Sequence, residues 1–309
     1  MIHVIDVQSR ATIQDLGRFG LRRFGISQCG AMDKLALRAG NILLGNAEDA
    51  PAIEVPLGGI TLQFQQDMNF CVTGAFYEMT LDDKPIFAYW RYQARAGQVL
   101  KMVRAKIGMY GYLCVQGGFT LPQELNSCST DLRAQIGGIE GRGLQVGDQL
   151  QTVNDPILRS EIGIAPIPLK HTIHALPSSE YQAFKRKSQY YWWRSKWTLQ
   201  SNSDRMGYRF QGQKLELKQP LEMLSHAIQF GSVQVPPSGQ PIILMADAQT
   251  TGGYPKIANV IDADLGALAQ VRLGSTIQFE AVSLEQAAKL RRKNEIYLDQ
   301  IRRIVDEKN

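Results

Sequence analysis

Three glycine-led segments recur at wide separation along the chain. Gly97-Gln98-Val99-Leu100-Lys101, Gly147-Asp148-Gln149-Leu150-Gln151 and Gly274-Ser275-Thr276-Ile277-Gln278 each set a glycine and a polar residue before a strand-like run. Glycine lets a chain turn sharply at such a point. The recurrence suits barrels built from many short antiparallel strands. It occurs in both halves of a 309-residue chain, a length that itself favours two domains. Ile60-Thr61-Leu62-Gln63-Phe64 alternates with the period of a half-buried strand, as Leu215-Glu216-Leu217 and Ile277-Gln278-Phe279 do on a smaller scale. Leu81 to Ile86 reads as a turn between two strands.

Helices are expected to be few. Asp33 is placed to cap one that carries Leu35, Ala39, Ile42 and Leu43 and stops at Gly45. Ser179 is placed to cap a second, through Tyr181 and Phe184 to Lys187. Ser283 with Gln286 forms a capping-box pattern before a C-terminal helix, with Leu290, Tyr297, Ile301 and Ile304 on one face. Asp155-Pro156 and Ala165-Pro166-Ile167-Pro168 disfavour regular structure. The expected division is therefore 1–160, 161–282 and a C-terminal amphipathic helix over 283–309.

Hydrophobic content of 44% and charged content of 20% describe an ordinary globular chain. No signal-peptide pattern opens it, and no apolar run reaches membrane-spanning length, so a cytoplasmic location without membrane contact is expected. Cys29, Cys71, Cys114 and Cys128 show no metal-finger or redox spacing and read as inert thiols of a reducing compartment. The net charge of +5 comes from dispersed cations and two clusters. One cluster, Lys185-Arg186-Lys187 followed by Tyr190, Tyr191, Trp192, Trp193, Arg194, Lys196 and Trp197, interleaves aromatics with cations. Single-strand binding surfaces do this, but so does a solvated helix end followed by an aromatic strand. No nucleic-acid motif accompanies the cluster, so no nucleic-acid partner is expected.

Chemistry concentrates in Ile242 to Val260. An apolar run ends at Met245 and empties into Asp247, Gln249, Thr250, Thr251, Gly252, Gly253 and Tyr254. Polar groups on a loop carried by a rigid strand suit a cleft, although a strand and a tight turn would give the same pattern. His226, Asp247 and Gln249 are the catalytic candidates. A histidine moves protons or holds an anion, or is structural. Asp247 accepts from an amide N–H, orients a base, or ties down the turn. Gln234, Thr250, Thr251, Gly252, Gly253 and Tyr254 are substrate-binding candidates through neutral polar handles and backbone. Arg205 and Arg209 join them as forks for a carboxylate or phosphate. Asp15 and Arg18, flanking Gly17, are either part of the site or a local pair shaping a loop. Asp33 is read as a helix cap rather than a catalyst. There is no Walker loop, no G-x-S-x-G elbow and no metal-ligand constellation.

Motifs spread over most of the chain carry a resemblance. Gln14-Asp15-Leu16-Gly17-Arg18-Phe19-Gly20, Gly30-Ala31-Met32-Asp33, Thr73-Gly74-Ala75 and Gly137-Gly138-Ile139-Glu140-Gly141-Arg142 appear in order. Ser203-Asp204-Arg205-Met206-Gly207-Tyr208-Arg209, Gly231 to Pro241 and the loop from Asp247 follow. Together they resemble the KipA, or allophanate hydrolase subunit 2, family. That family includes one component of bacterial 5-oxoprolinase and the matching half of the carboxyltransferase domain of urea carboxylases. The resemblance implies a mainly β fold of two cyclophilin-like β-barrel domains. It implies a subunit, inactive alone, of an ATP-dependent complex that opens the lactam of 5-oxo-L-proline to glutamate. The partners would be a KipI-like protein and a third protein; ATP would be used by the complex, with no metal site. Two alternatives stand beside it: a carboxyltransferase component, the only case needing biotin, and a non-catalytic regulatory partner of a KipI-like protein.

Overall fold

The computed structural model describes residues 1–153, 157–158 and 161–308. Asp155-Pro156, part of the expected linker, lie outside the described residues. The chain divides into two compact units. Unit 1 holds Met1–Arg18, Cys29–Pro168 and Glu295–Asn309; unit 2 holds Phe19–Gln28 and Leu169–Asn294.

Unit 1 is a nine-stranded sheet with one helix inserted. Its elements are β1 (Ile2–Val7), β2 (Thr12–Gln14), α1 (Lys34–Leu43), β3 (Ala52–Pro56), β4 (Ile60–Phe64) and β5 (Met68–Leu81). Then come β6 (Lys84–Pro85), β7 (Arg91–Ala94), β8 (Val99–Val115) and β9 (Gln149–Leu150). The hydrogen-bonded path runs β2-β3-β8-β4-β1-β9, and β5 branches from β8 to pair with β6 and β7. This is a half-barrel whose path does not close. The β4 strand buries every second residue, as its alternation requires. Asp82 and Asp83 both take positive φ, the primed-turn geometry that matches strand twist between β5 and β6.

Asp33 caps α1 by accepting from the Ala36 N–H at 3.1 Å. The helix lies very close to the sheet. A Cβ added at Gly40 would sit 2.8 Å from Cys114 Sγ and 2.9 Å from Thr73 Oγ1. Thr73 Oγ1 in turn donates to the Ala36 carbonyl at 2.7 Å. Glu54, buried, accepts from the Met32 N–H at 2.9 Å and the Tyr112 hydroxyl at 2.8 Å. Burial, then Glu54, pushes the Tyr112 hydroxyl well above its ordinary range.

Unit 2 contains a closed barrel. Its elements are β10 (Thr172–Pro177), α2 (Arg186–Arg194), β11 (Trp197–Leu199), β12 (Gly207–Gln211), β13 (His226–Ala227), β14 (Ser232–Gln234) and β15 (Ile242–Leu244). They continue through β16 (Thr251–Gly252), β17 (Lys256–Val260), α3 (Asp262–Ala269) and β18 (Thr276–Ala281), while α4 (Leu284–Lys308) is divided between the units, its residues from Glu295 on belonging to unit 1. The barrel order is β10-β17-β14-β15-β12-β11-β18, closed by a parallel β10–β18 pair. The β13 and β16 strands form a separate two-stranded ribbon.

The three recurrent glycine segments adopt one geometry in both units. Gly97, Gly147 and Gly274 have φ of 89°, 93° and 80°. Each is the third residue of a four-residue turn closed by a backbone bond: Gln98 to Arg95, Asp148 to Gln145, Ser275 to Arg272. Each N–H also donates to a neighbouring strand, at Phe64, Val4 and Leu199 respectively. Those same residues donate back to Gln98, Asp148 and Ser275. A Cβ at any of the three would meet nothing within 4 Å, so backbone conformation and not packing requires glycine.

Two helical expectations need correction. The segment after Ser179 forms a 3₁₀ turn at Tyr181–Ala183, and α2 begins only at Arg186. Tyr190 to Trp193 are therefore helical, because Trp192 is drawn into the barrel core, stacked on Phe279 at 4.2 Å. In α4 the capping box is present, with Ser283 and Gln286 exchanging bonds of 2.8 and 3.1 Å. Its buried stripe, however, is Leu298, Ile301 and Val305, while Ile304 is 38% exposed. Leu215-Glu216-Leu217 forms only an isolated bridge, Leu217 to Phe184.

Candidate functional site

In unit 2 the long polar loop after β15 is fixed from two sides. Arg205 forms a two-pronged pair with Asp247, Nε to Oδ2 at 2.8 Å and Nη2 to Oδ1 at 2.7 Å. The backbones of the same two residues are bonded, Asp247 N–H to Arg205 carbonyl, at 2.9 Å. From the other side comes the segment Phe19–Gln28. Arg22 Nη2 donates to the carbonyls of Ile228 at 2.5 Å and Gln249 at 3.2 Å. Ser27 Oγ lies 3.5 Å from the Ala248 carbonyl. Asp204 accepts from the N–H groups of Met206 and Gly207 and so shapes the turn into β12.

The loop then returns as β16. Its pairing with β13 sets His226 opposite Gly252 and Ala227 opposite Thr251. The Thr250 carbonyl extends this ladder by accepting from the Ile228 N–H at 3.1 Å. A register shift between β14 and β17 places Gln234 opposite Lys256; such bulges re-aim side chains. Gly252 is a close-approach position. A Cβ there would lie 2.5 Å from Gln234 Nε2.

Gln234 is 3% exposed, and its Nε2 has no hydrogen-bond partner among the described residues. An unpaired buried donor is costly and asks for an acceptor. The amide borders a cavity of about 460 Å³ together with Arg209, Gln249, Tyr254, Ser238 and Met206. That volume falls within the range of small-molecule pockets. The Arg209 guanidinium has no ion-pair partner among the described residues.

Beside this wall lies a charged group that sequence reading missed. The Lys256 ammonium contacts Glu180 Oε2 at 3.2 Å and donates to His226 Nε2. His226 Nδ1 faces the Leu224 carbonyl at 3.2 Å, so the matching tautomer carries its proton on Nδ1. Burial pushes the Glu180 carboxyl up. Hydrogen bonds from Ser179 and from the backbone and ammonium of Lys256 outweigh it and hold Glu180 below its ordinary value. The available signal was Lys256 itself, a charge opening the apolar run that follows Pro255.

Asp15 and Arg18 belong to unit 1, where they build a loop. Asp15 is 7% exposed and Arg18 fully buried. The Asp15 carboxylate accepts from Gly17 N–H at 2.7 Å, Ser127 Oγ at 2.7 Å, Ser129 Oγ at 2.5 Å and Cys128 N–H at 2.6 Å. Arg18 donates to the carbonyls of Ser129 at 2.6 Å and Glu124 at 3.2 Å. All four cysteines are buried thiols. Burial first, then Asp15, pushes Cys128 up to about 11, so it is a poor nucleophile. Among the described residues, no group of three or more His, Cys, Asp and Glu could hold a metal ion, and no helix is long and apolar enough to cross a membrane.

Comparison with known proteins follows this geometry. Residues 24–281 match the family described as carboxyltransferase domain, subdomain A and B. The chain is 91% identical over 309 residues to the C subunit of 5-oxoprolinase from Haemophilus influenzae, with 100% of both chains covered. It is 47% identical over 307 residues to the C subunit of 5-oxoprolinase from Escherichia coli, covering 97% of each. The urea amidolyase of Lachancea kluyveri is 29% identical, and the match covers 93% of this chain and 17% of that protein. The crystal structure of the Kluyveromyces lactis urea carboxylase superposes with a TM-score of 0.90 at 26% identity, covering 97% of this chain and 29% of that one.

Proposed function

From the premise that this chain belongs to the carboxyltransferase-domain family, subdomains A and B, we infer that it is a subunit of a 5-oxoprolinase. One observation carries the function: 91% identity, over the full length of both chains, with a protein of that name. The complex is ATP-dependent and cytoplasmic, and this chain acts in it with a KipI-like protein and a third protein. Alone it is inactive. The four buried thiols suit a reducing compartment.

The physical problem is a lactam carbonyl, a poor electrophile. Phosphorylation of its oxygen by ATP, with release of ADP, activates the carbon. Water adds, and the C–N bond breaks as the ring nitrogen takes up a proton. Hydrolysis of the resulting acyl phosphate by a second water releases inorganic phosphate and glutamate. A protein assisting this must hold a carboxylate-bearing ring and stabilise charge on the carbonyl oxygen. The cavity bordered by Arg209, Gln234, Gln249 and Tyr254 is the site we propose. Arg209 grips the carboxylate. The Gln234 amide, lacking an acceptor, donates to the ring carbonyl oxygen. Gly252 leaves room for that amide. His226, held by Lys256, and the Thr250 to Gly253 backbone form the adjoining wall. Arg205 and Asp247 keep the loop in place.

The test is ATP-dependent glutamate formation by the reconstituted complex, with each component omitted in turn. Turnover that is lost without this chain supports the reading; turnover that persists without it overturns the reading. The likeness to urea carboxylase favours one second reading, transfer of a carboxyl group from biotin. Biotin-dependent carboxylation of urea, with no lactam opening, would select it.

A further inference from the structure

A second cavity in unit 2, about 790 Å³, lies apart from every residue assigned above. Its walls are one face of α2, together with Tyr181, Thr172 of β10 and Gln278 to Ala281 of β18. Arg186, Tyr190, Trp193 and Arg194 recur at helical spacing along that face. At about 1.5 Å of rise per residue the two arginines stand ~12 Å apart along the helix, with the aromatic pair between them.

The face is not explained by stability. Tyr190 is 63% exposed. Neither arginine has an ion-pair partner among the described residues. Arg186 sits in the first turn of α2, where the helix dipole disfavours a cation and no acid offsets it. Trp193 is held in place, its Nε1 donating to the Tyr181 hydroxyl at 2.9 Å. Gln189 gives both amide N–H bonds to the carbonyls of Tyr181 and Phe184, and Gln278 gives one to the carbonyl of Trp193. Both amides still offer their acceptor oxygens. Glu280 adds a carboxylate.

We propose that this cavity binds a free nucleoside phosphate. Its base lies on the Tyr190–Trp193 face, and its phosphates are held by the arginine forks. The amide oxygens and Glu280 accept from the base amine and ribose hydroxyls. The arginines, the aromatic pair and the acceptor oxygens each have a counterpart in such a ligand. An acidic peptide backbone would engage the arginines and the acceptor oxygens but leave the aromatic side chains without a role. A nucleic-acid strand needs successive aromatic platforms along a track, whereas here one cluster lines one cavity. The inference goes beyond the 5-oxoprolinase reading and does not depend on it.

Equilibrium binding of ATP, ADP, adenosine and a 12-mer oligodeoxynucleotide to the full chain tests it. Saturable binding of ATP or ADP is expected, weakened at least ~10-fold by R186A/R194A and similarly by removing the phosphates. Y190A is expected to weaken it ~5- to 100-fold, as loss of base stacking does. Thermal unfolding should show these exposed-face variants folded as the parent. Three results would overturn the proposal: no saturable ATP or ADP binding at millimolar concentration, binding unchanged in R186A/R194A, or tighter binding of the oligonucleotide. Nucleotide binding is read without turnover, so its failure is distinct from failure of lactam opening.

Discussion

Two buried side chains, one in each unit, are treated in opposite ways. In unit 1 the Asp15 carboxylate takes four donors, from two serines and two backbone N–H groups. In unit 2 the Gln234 amide is equally buried but has no acceptor among the described residues, and it borders a cavity. A saturated group of this kind shapes a loop, because its hydrogen bonds are already made. A bare donor facing a cavity is available to a ligand. The same contrast separates the two arginines of the Asp204 to Arg209 motif. Arg205 is committed to Asp247, whereas Arg209 opens onto the cavity. Proximity along the chain gave them the same expected role; partners give them different ones.

The sharpest way to break this comparison is at Asp15. Asp15→Ala strands four donors in a buried place, and about 3–5 kcal/mol of stability should be lost. Urea unfolding measures this; a loss below ~1 kcal/mol would mean that the network carries little. Asp247→Ala should cost less, about 2–3 kcal/mol, since its pair with Arg205 is partly solvated. Gln234→Leu keeps the volume and removes the bare donor. Stability should stay within ~1 kcal/mol, while kcat/KM of the complex falls ~10²-fold, the loss expected for one charge-stabilising donor.

The smallest effect concerns pH. Arg142 holds the Asp148 carboxyl below its ordinary 3.8, against the opposing effect of burial. A depressed carboxylate contributes stability that is complete above the unfolded value and is lost as pH falls through the folded one. Acid unfolding of the parent should therefore steepen below that ordinary value of 3.8, and Arg142→Met should flatten the curve there. Identical acid profiles would remove Asp148 from the account.

Much of the fold was legible because its signals are local. The three glycine turns, the Asp33 cap and the Ser283–Gln286 box depend on residues within a few positions of one another. The path of α2 was not legible, because Trp192 is placed by Phe279, far away in sequence. The polar loop after Met245 could be found by its composition. Lys256 and Glu180 could not, since their meeting with His226 depends on the register of β14, β16 and β17. Arg22 was missed for the same reason: its carbonyl partners, Ile228 and Gln249, lie more than two hundred residues on.

The central claim is that the cavity beside Gln234 and Arg209 holds the substrate. It is tested most directly by steady-state kinetics of the reconstituted complex carrying Arg209→Ala, varying 5-oxoproline at saturating ATP. The account predicts unchanged stability and a KM raised ~10- to 100-fold, the loss of one charge-assisted fork. A parental KM and kcat in that variant, with the complex intact, would contradict it.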